Sequence, residues 1–175
     1  MSTVDLLRAQ WHRSCARLLD RLSGLTDEEY RWEPVADCWN VRPDPAAPGG
    51  WTVDYPDAAP DPAPFTTIAW RLVHISDGNS IYWEQAFGPG VRTYADLAPH
   101  GDAAGAVAYL AESQRPVTTT LATLHDDELE EVRSTPLGDR RTVRQILATL
   151  VDEQVHHGAE VGVLRDLYRE RSRQG

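Results

Sequence analysis

The chain has 175 residues and carries 27 Asp+Glu against 17 basic residues, a formal net charge of −10. All 17 basic residues are Arg and Lys is absent; so acidic a chain, without a basic cluster, repels a phosphate backbone and argues against a nucleic-acid partner. No apolar run approaches the ~20 residues of a spanning helix, and MSTVDLLRAQW lacks the basic and apolar segments of a signal peptide, so a single cytoplasmic domain over 1–175 with no membrane partner is expected.

In chain order, Val4, Leu7, Trp11, Cys15, Leu18 and Leu22 are spaced by three or four and form one face of a first helix, with Ser2 or Thr3 as its cap and Gly24 as its stop. From Pro34 to Pro64 helical periodicity collapses, because eight of the twelve prolines fall in this stretch. Trp39, Trp51 and Tyr55 are too apolar to leave in water there, so this long loop is expected to pack over one end of the core. A second helix begins at Thr66 or Thr67 and runs to about Phe87, ahead of Gly88, Pro89 and Gly90; it is apolar on more than one side and reads as central. The third runs from Asp102 to Leu124, and Pro116 inside it predicts a kink or a break. HDDELEEV reads as a short acidic turn with a little helix, and Thr135–Asp139 as a loop. The last helix, from about Thr142 to Arg171, is the longest, with Val143, Ile146, Leu147, Leu150, Val161, Leu164 and Tyr168 on its buried stripe.

No segment alternates with period two and no repeat is visible, so the fold class expected is all-α, a four-helix bundle with a long Pro/Trp-rich loop between its first two helices. The link of about 14 residues between the second and third helices spans roughly 45 Å when extended, longer than a 20-residue helix, which permits those two to run parallel. Two cysteines, Cys15 and Cys38, are too few for a disulfide framework and match no CxxC spacing. Cys15 reads as a small buried residue; Cys38, in the Trp-rich loop, reads as packing or as a functional thiol.

The last helix interrupts its own stripe in LVDEQVHHGAEVGVLRD. With Leu150 at the centre and 100° per residue, His157 lies about 20° away and Glu153 about 60° away, both toward the core. A buried carboxylate is costly unless it is paired or binds a metal, and an i, i+4 pair lets two side chains share one ion. His156 and Glu160 sit at the border of the stripe, near 120° and 80°. His74, the one histidine of the second helix, is the best third ligand elsewhere in the chain. Read singly, it is equally a satisfied core histidine, and Glu-x-x-x-His is equally a plain side-chain pair. Together, a His, Glu, His set leaves an open position on Zn²⁺ or a similar ion, the arrangement of catalytic sites.

The final helix carrying HHGAEVGVLRDLY, a second helix carrying one His in AWRLVHISDGNSIYW, and a first helix followed by LTDEEYRWEP and a Trp-rich loop resemble the DinB-like superfamily, which includes the mycothiol-dependent maleylpyruvate isomerases. The resemblance covers nearly the whole chain. It implies an up-down-down-up bundle holding a divalent metal through His74, Glu153 and His157, with Zn²⁺ first and Ni²⁺ or Mn²⁺ as alternatives. Many relatives have His where this chain has Glu153, and a carboxylate there is closer to the thiol-dependent branch. The activity implied is that of a metal-dependent enzyme activating a low-molecular-weight thiol toward a small-molecule substrate, a mycothiol-type S-transferase or isomerase. A hydrolase using bound water and a non-catalytic, stress-linked metal-binding protein are the alternatives. Asp152, His156 and Glu160 are assigned to orientation of the ligands or proton transfer, and Trp39 and Trp51 either wall a cofactor or thiol pocket or simply pack the loop. The absence of Lys, with scarce Ile and Asn, suggests a GC-rich genome and on that ground favours mycothiol. Pairing of two copies through an apolar helix face, a homodimer, is also expected.

Overall fold

The computed structural model describes residues 1–55 and 60–174. Among the described residues there are five α-helices: α1 (Thr3–Arg21), α2 (Asp27–Tyr30), α3 (Ile68–Ala86), α4 (Ala103–Thr123) and α5 (Val143–Gln174). Four are long. Their starts are held by side chains that satisfy the free N–H groups of a first turn: Ser2 accepts from the Asp5 amide, Thr67 from Trp70, and Asp102 from Gly105.

Side-chain contacts set the helix directions. Asp77, Asn79 and Trp83 of α3 meet Tyr109, Ser113 and Thr120 of α4 in the same order, so these two helices run parallel. In α1 and α5, Leu18 sits beside Gly158 and Arg21 beside Gly162 and Asp166, again parallel. Arg8 and Trp11 meet Leu121 and Thr118, and Arg71 and His74 meet Glu160 and Glu153, so α1 opposes α4 and α3 opposes α5. None of the helices among the described residues is long and apolar enough to cross a membrane.

One expectation needs correction, and two local features add to the reading. The chain is mostly helical rather than all-α: β1 (Val41–Pro43) pairs antiparallel with β2 (Trp51–Val53), and β3 (Val132–Ser134) with β4 (Arg140–Thr142). Strands of three residues are too short to print a period of two in the sequence. Pro116 does not break α4, which continues through it to Thr123. Thr26 caps a short helix, α2, in LTDEEY, which the sequence left unassigned.

Apolar burial divides into two clusters. One gathers Leu18, Leu22, Ile68, Leu72, Leu110 and Val161; the other gathers Val4, Trp11, Val117, Leu121, Ile146 and Leu150. Between them every long helix turns a polar residue inward: Ser14 on α1, Ser76 and Asn79 on α3, Ser113 and Gln114 on α4, Gln154 on α5. Asn79 Nδ2 donates to Ser113 Oγ at 3.3 Å and Ser113 Oγ to the Leu110 carbonyl at 2.8 Å, so part of the layer satisfies itself.

The Pro-rich loop is anchored at both ends of its aromatic run. Trp39 and Thr66 form a parallel bridge, and Trp51 packs on the first apolar cluster beneath Arg31, whose guanidinium lies 5.8 Å from the indole and donates to the Gly101 carbonyl. A Cβ at buried Gly101 would fall inside the Trp51 indole. Gly101→Ala is therefore expected to destabilise the fold by about 1–3 kcal/mol through overpacking, read as a lower urea midpoint; an unchanged midpoint would mean that the indole moves aside freely.

Candidate metal centre

α3 carries His74 one turn after Trp70 and Arg71, and α5 carries Glu153, His157 and Glu160 at i, i+4 and i+7. Because the helices oppose each other, Arg71 falls opposite Glu160 and His74 opposite Glu153. His74 Nε2 and His157 Nε2 each lie 3.0 Å from the same oxygen, Glu153 Oε2. One ligand atom from each of the three residues falls within 4.8 Å of the others. His157 is buried, with 8% of its surface exposed, and His74 and Glu153 are half-buried.

Two ring nitrogens converging on one carboxylate oxygen are accommodated either by N–H groups that donate to it or by a cation held among them. The set fits a divalent ion on its donor chemistry: two imidazoles and one carboxylate are the ligands of borderline metals such as Zn²⁺. Burial, and then the neighbouring His157, push the His74 pKa below the usual histidine value, against the pull of Glu153. The neutral imidazole, the form that binds a metal, is therefore favoured at neutral pH.

Further groups hold His157. Its Nδ1 lies 2.6 Å from Glu160 Oε2 and 3.0 Å from Arg71 Nη1, so both groups engage Nδ1 and leave Nε2 facing Glu153 and His74. Arg71 Nε lies 2.9 Å from the same Glu160 oxygen as an ion pair without hydrogen-bond alignment, and the Arg71 guanidinium stands 5.2 Å over the Trp70 ring. His156, more exposed, reaches Glu160 Oε1 at 3.4 Å and stacks on His157 at 4.4 Å. His156, His157 and Glu160 form a second metal-capable group that shares His157 with the first.

The other residues singled out from the sequence are dispersed. Asp152 is exposed, since its place one residue before Glu153 turns it outward. Trp39 reaches the cluster only through Trp70: the two rings lie 5.6 Å apart, and Trp70 stacks on His74 at 5.0 Å. Trp51 is not in this wall, being held in the core against Gly101. Tyr55 completes it instead, stacked on Trp70 at 6.0 Å. Trp70 and Arg71 were passed over in the sequence, although each lies one turn from His74 on the helix, the spacing at which side chains meet.

Asp77, three residues beyond His74, accepts a hydrogen bond from the Tyr109 hydroxyl at 3.0 Å. Burial pushes its pKa up to about 6, against that hydrogen bond and the charge of Arg92. A carboxylate with a raised folded-state pKa stabilises the fold relative to the unfolded chain below about pH 4, and that contribution is lost as pH rises through about 6. Asp77→Asn is thus expected to be more stable than the parent at pH 8, by on the order of 1 kcal/mol, with the gain shrinking toward pH 4. Urea unfolding at the two pH values checks this, and a gain independent of pH would contradict it.

A family model described as the DinB superfamily matches residues 10–161, a span that contains His74, Glu153 and His157. No curated protein matches the chain. Among solved structures, a crystal structure of a conserved protein of a locus from Enterococcus faecalis is similar, with a TM-score of 0.58 and 15% identity, covering 95% of this chain and 97% of that one. At that identity the likeness shows the fold alone.

Proposed function

The chain belongs to the DinB superfamily, and from that premise we propose that it is a divalent-metal-dependent enzyme in which His74, Glu153 and His157 hold the ion and a low-molecular-weight thiol of the mycothiol type is activated for S-transfer or isomerisation. The observation that carries the reading is the convergence of His74 Nε2 and His157 Nε2 on Glu153 Oε2 at 3.0 Å. Three protein ligands leave a position open for a further ligand. A bound divalent ion, Zn²⁺ first, supplies Lewis acidity that makes a coordinated thiol or water acidic near neutral pH. Glu160 and Arg71 keep the His157 ring in one orientation, and the Trp70, Trp39 and Tyr55 rings offer an apolar wall beside His74 for the substrate.

The chain's own sulfur does not suit the role. Burial pushes the Cys15 thiol up to about 12, and the buried Cys38 donates to the Val35 carbonyl at 3.1 Å with its pKa raised by burial. Sulfur chemistry at the cluster therefore needs a thiol from outside. Thermal-shift measurements on metal-loaded protein with mycothiol, bacillithiol and glutathione test this, because a ligand of the native state raises its apparent stability. Stabilisation by mycothiol that disappears in His157→Ala is expected. No shift with any of the three thiols would overturn the thiol reading while leaving the metal site standing.

A further inference from the structure

A groove of about 430 Å³ runs between α1 and α5, within the range of ~300–1,000 Å³ typical of small-molecule sites. At 100° per residue its α5 wall lies about a quarter to half a turn around that helix from Glu153, so it is separate from the metal-capable cluster. Its floor is made by Gly158, Ala159 and Gly162, and its outer lip by Val155 and Val163, both half or more exposed. Added Cβ atoms at Gly158 and Gly162 would lie 3.7 Å from Leu18 and 3.4 Å from Arg21, so the two glycines keep this floor open.

The charge on the groove's α1 side points to what it takes. In this acidic chain most arginines face a carboxylate; Arg8, Arg42, Arg115, Arg144 and Arg165 are examples. Arg13 and Arg17 line the groove one turn apart, are exposed, and have no ion pair or hydrogen bond among the described residues. Gln154 at the groove's inner wall is 1% exposed and turns its amide toward Asn79, 3.5 Å away, so it belongs to the interior polar layer and leaves the groove's polar character to the arginines. At the other end Arg21 is already committed to Asp166 and the Gly162 carbonyl, both at 2.6 Å, so the free positive charge is at Arg13 and Arg17.

We propose that the α1–α5 groove is a binding site for a small organic anion with an apolar body, of the class of medium-chain carboxylates. The carboxylate lies between Arg13 and Arg17, and the hydrocarbon runs over Gly158, Ala159 and Val155. The proposal does not rest on the metal-dependent reading.

Isothermal titration with sodium octanoate tests it, with octylammonium as the charge control. Saturable one-to-one binding of octanoate is expected, none of octylammonium, and a Kd at least tenfold weaker in Arg13→Gln/Arg17→Gln. Both positions are exposed and unpaired, so the fold should survive. Ala159→Glu, also at an exposed position, is expected to abolish binding by placing a like charge on the floor. Chelator-treated and Zn²⁺-supplemented protein should give the same Kd. Absence of binding, an unchanged Kd in either variant, or binding that follows the metal would overturn the proposal. So would a dimer in light scattering that Ala159→Glu dissociates, which would show the groove covered by a second copy.

Discussion

Arg165→Ala is expected to lose about 3–5 kcal/mol of folding stability, because removing one partner of a buried ion pair leaves the other charge uncompensated. Arg165 is 1% exposed and Glu29 is 3% exposed. The guanidinium grips the carboxylate with two parallel bonds, Nε to Oε1 at 2.7 Å and Nη2 to Oε2 at 2.8 Å, the strongest geometry for such a pair. Its remaining nitrogen donates to the Arg21 carbonyl and, at 3.0 Å, to the Ser23 carbonyl, so one α5 side chain also satisfies the C-terminal end of α1. Loss of Arg165 thus strands a carboxylate and two carbonyls together. Urea denaturation reads the effect, and Glu29→Leu/Arg165→Met should recover much of the loss, since apolar replacement of both partners is often neutral. A single variant within 1 kcal/mol of the parent would mean that water reaches the pair.

Divalent metal is expected to stabilise the protein by about 4 kcal/mol when free metal exceeds its Kd a thousandfold. Chelation should remove the gain, and Glu153→Ala should not show it. The half-buried position of Glu153 makes that variant readable, since its side chain is 38% exposed and its removal leaves no cavity in either apolar cluster. The metal effect should fade as pH falls through the histidine range, because protons compete for the ring nitrogens. A Tm equally raised by metal in the parent and in Glu153→Ala would place the ion elsewhere.

The helices were legible because their signals are local. Ser2, Thr67 and Asp102 cap where capping residues precede apolar periodicity, and Val143, Ile146, Leu147, Leu150, Val161 and Leu164 all bury. His74, Glu153 and His157 stood out as polar residues on apolar stripes, and the structure brings them together. What the sequence concealed depends on contacts between distant segments. Arg71 reads as a surface arginine until Glu160 is opposite it, and Arg165 until Glu29, 136 residues away, closes over it. Trp51 and Trp39 look equivalent in one loop, yet the first turns down onto Gly101 and the second joins Trp70. The strand pairs are set by cross-strand partners rather than by any pattern in their three residues.

The proposed metal centre would hold one divalent ion through His74, Glu153 and His157. Its most direct test is elemental analysis of protein purified without chelator, run on the parent and on His74→Ala and His157→Ala, with circular dichroism to verify that each is folded. A stoichiometric divalent metal in the parent and its loss in both folded variants is the result expected. Equal metal content in all three, or none in the parent after incubation with Zn²⁺, Ni²⁺ or Mn²⁺, would contradict it.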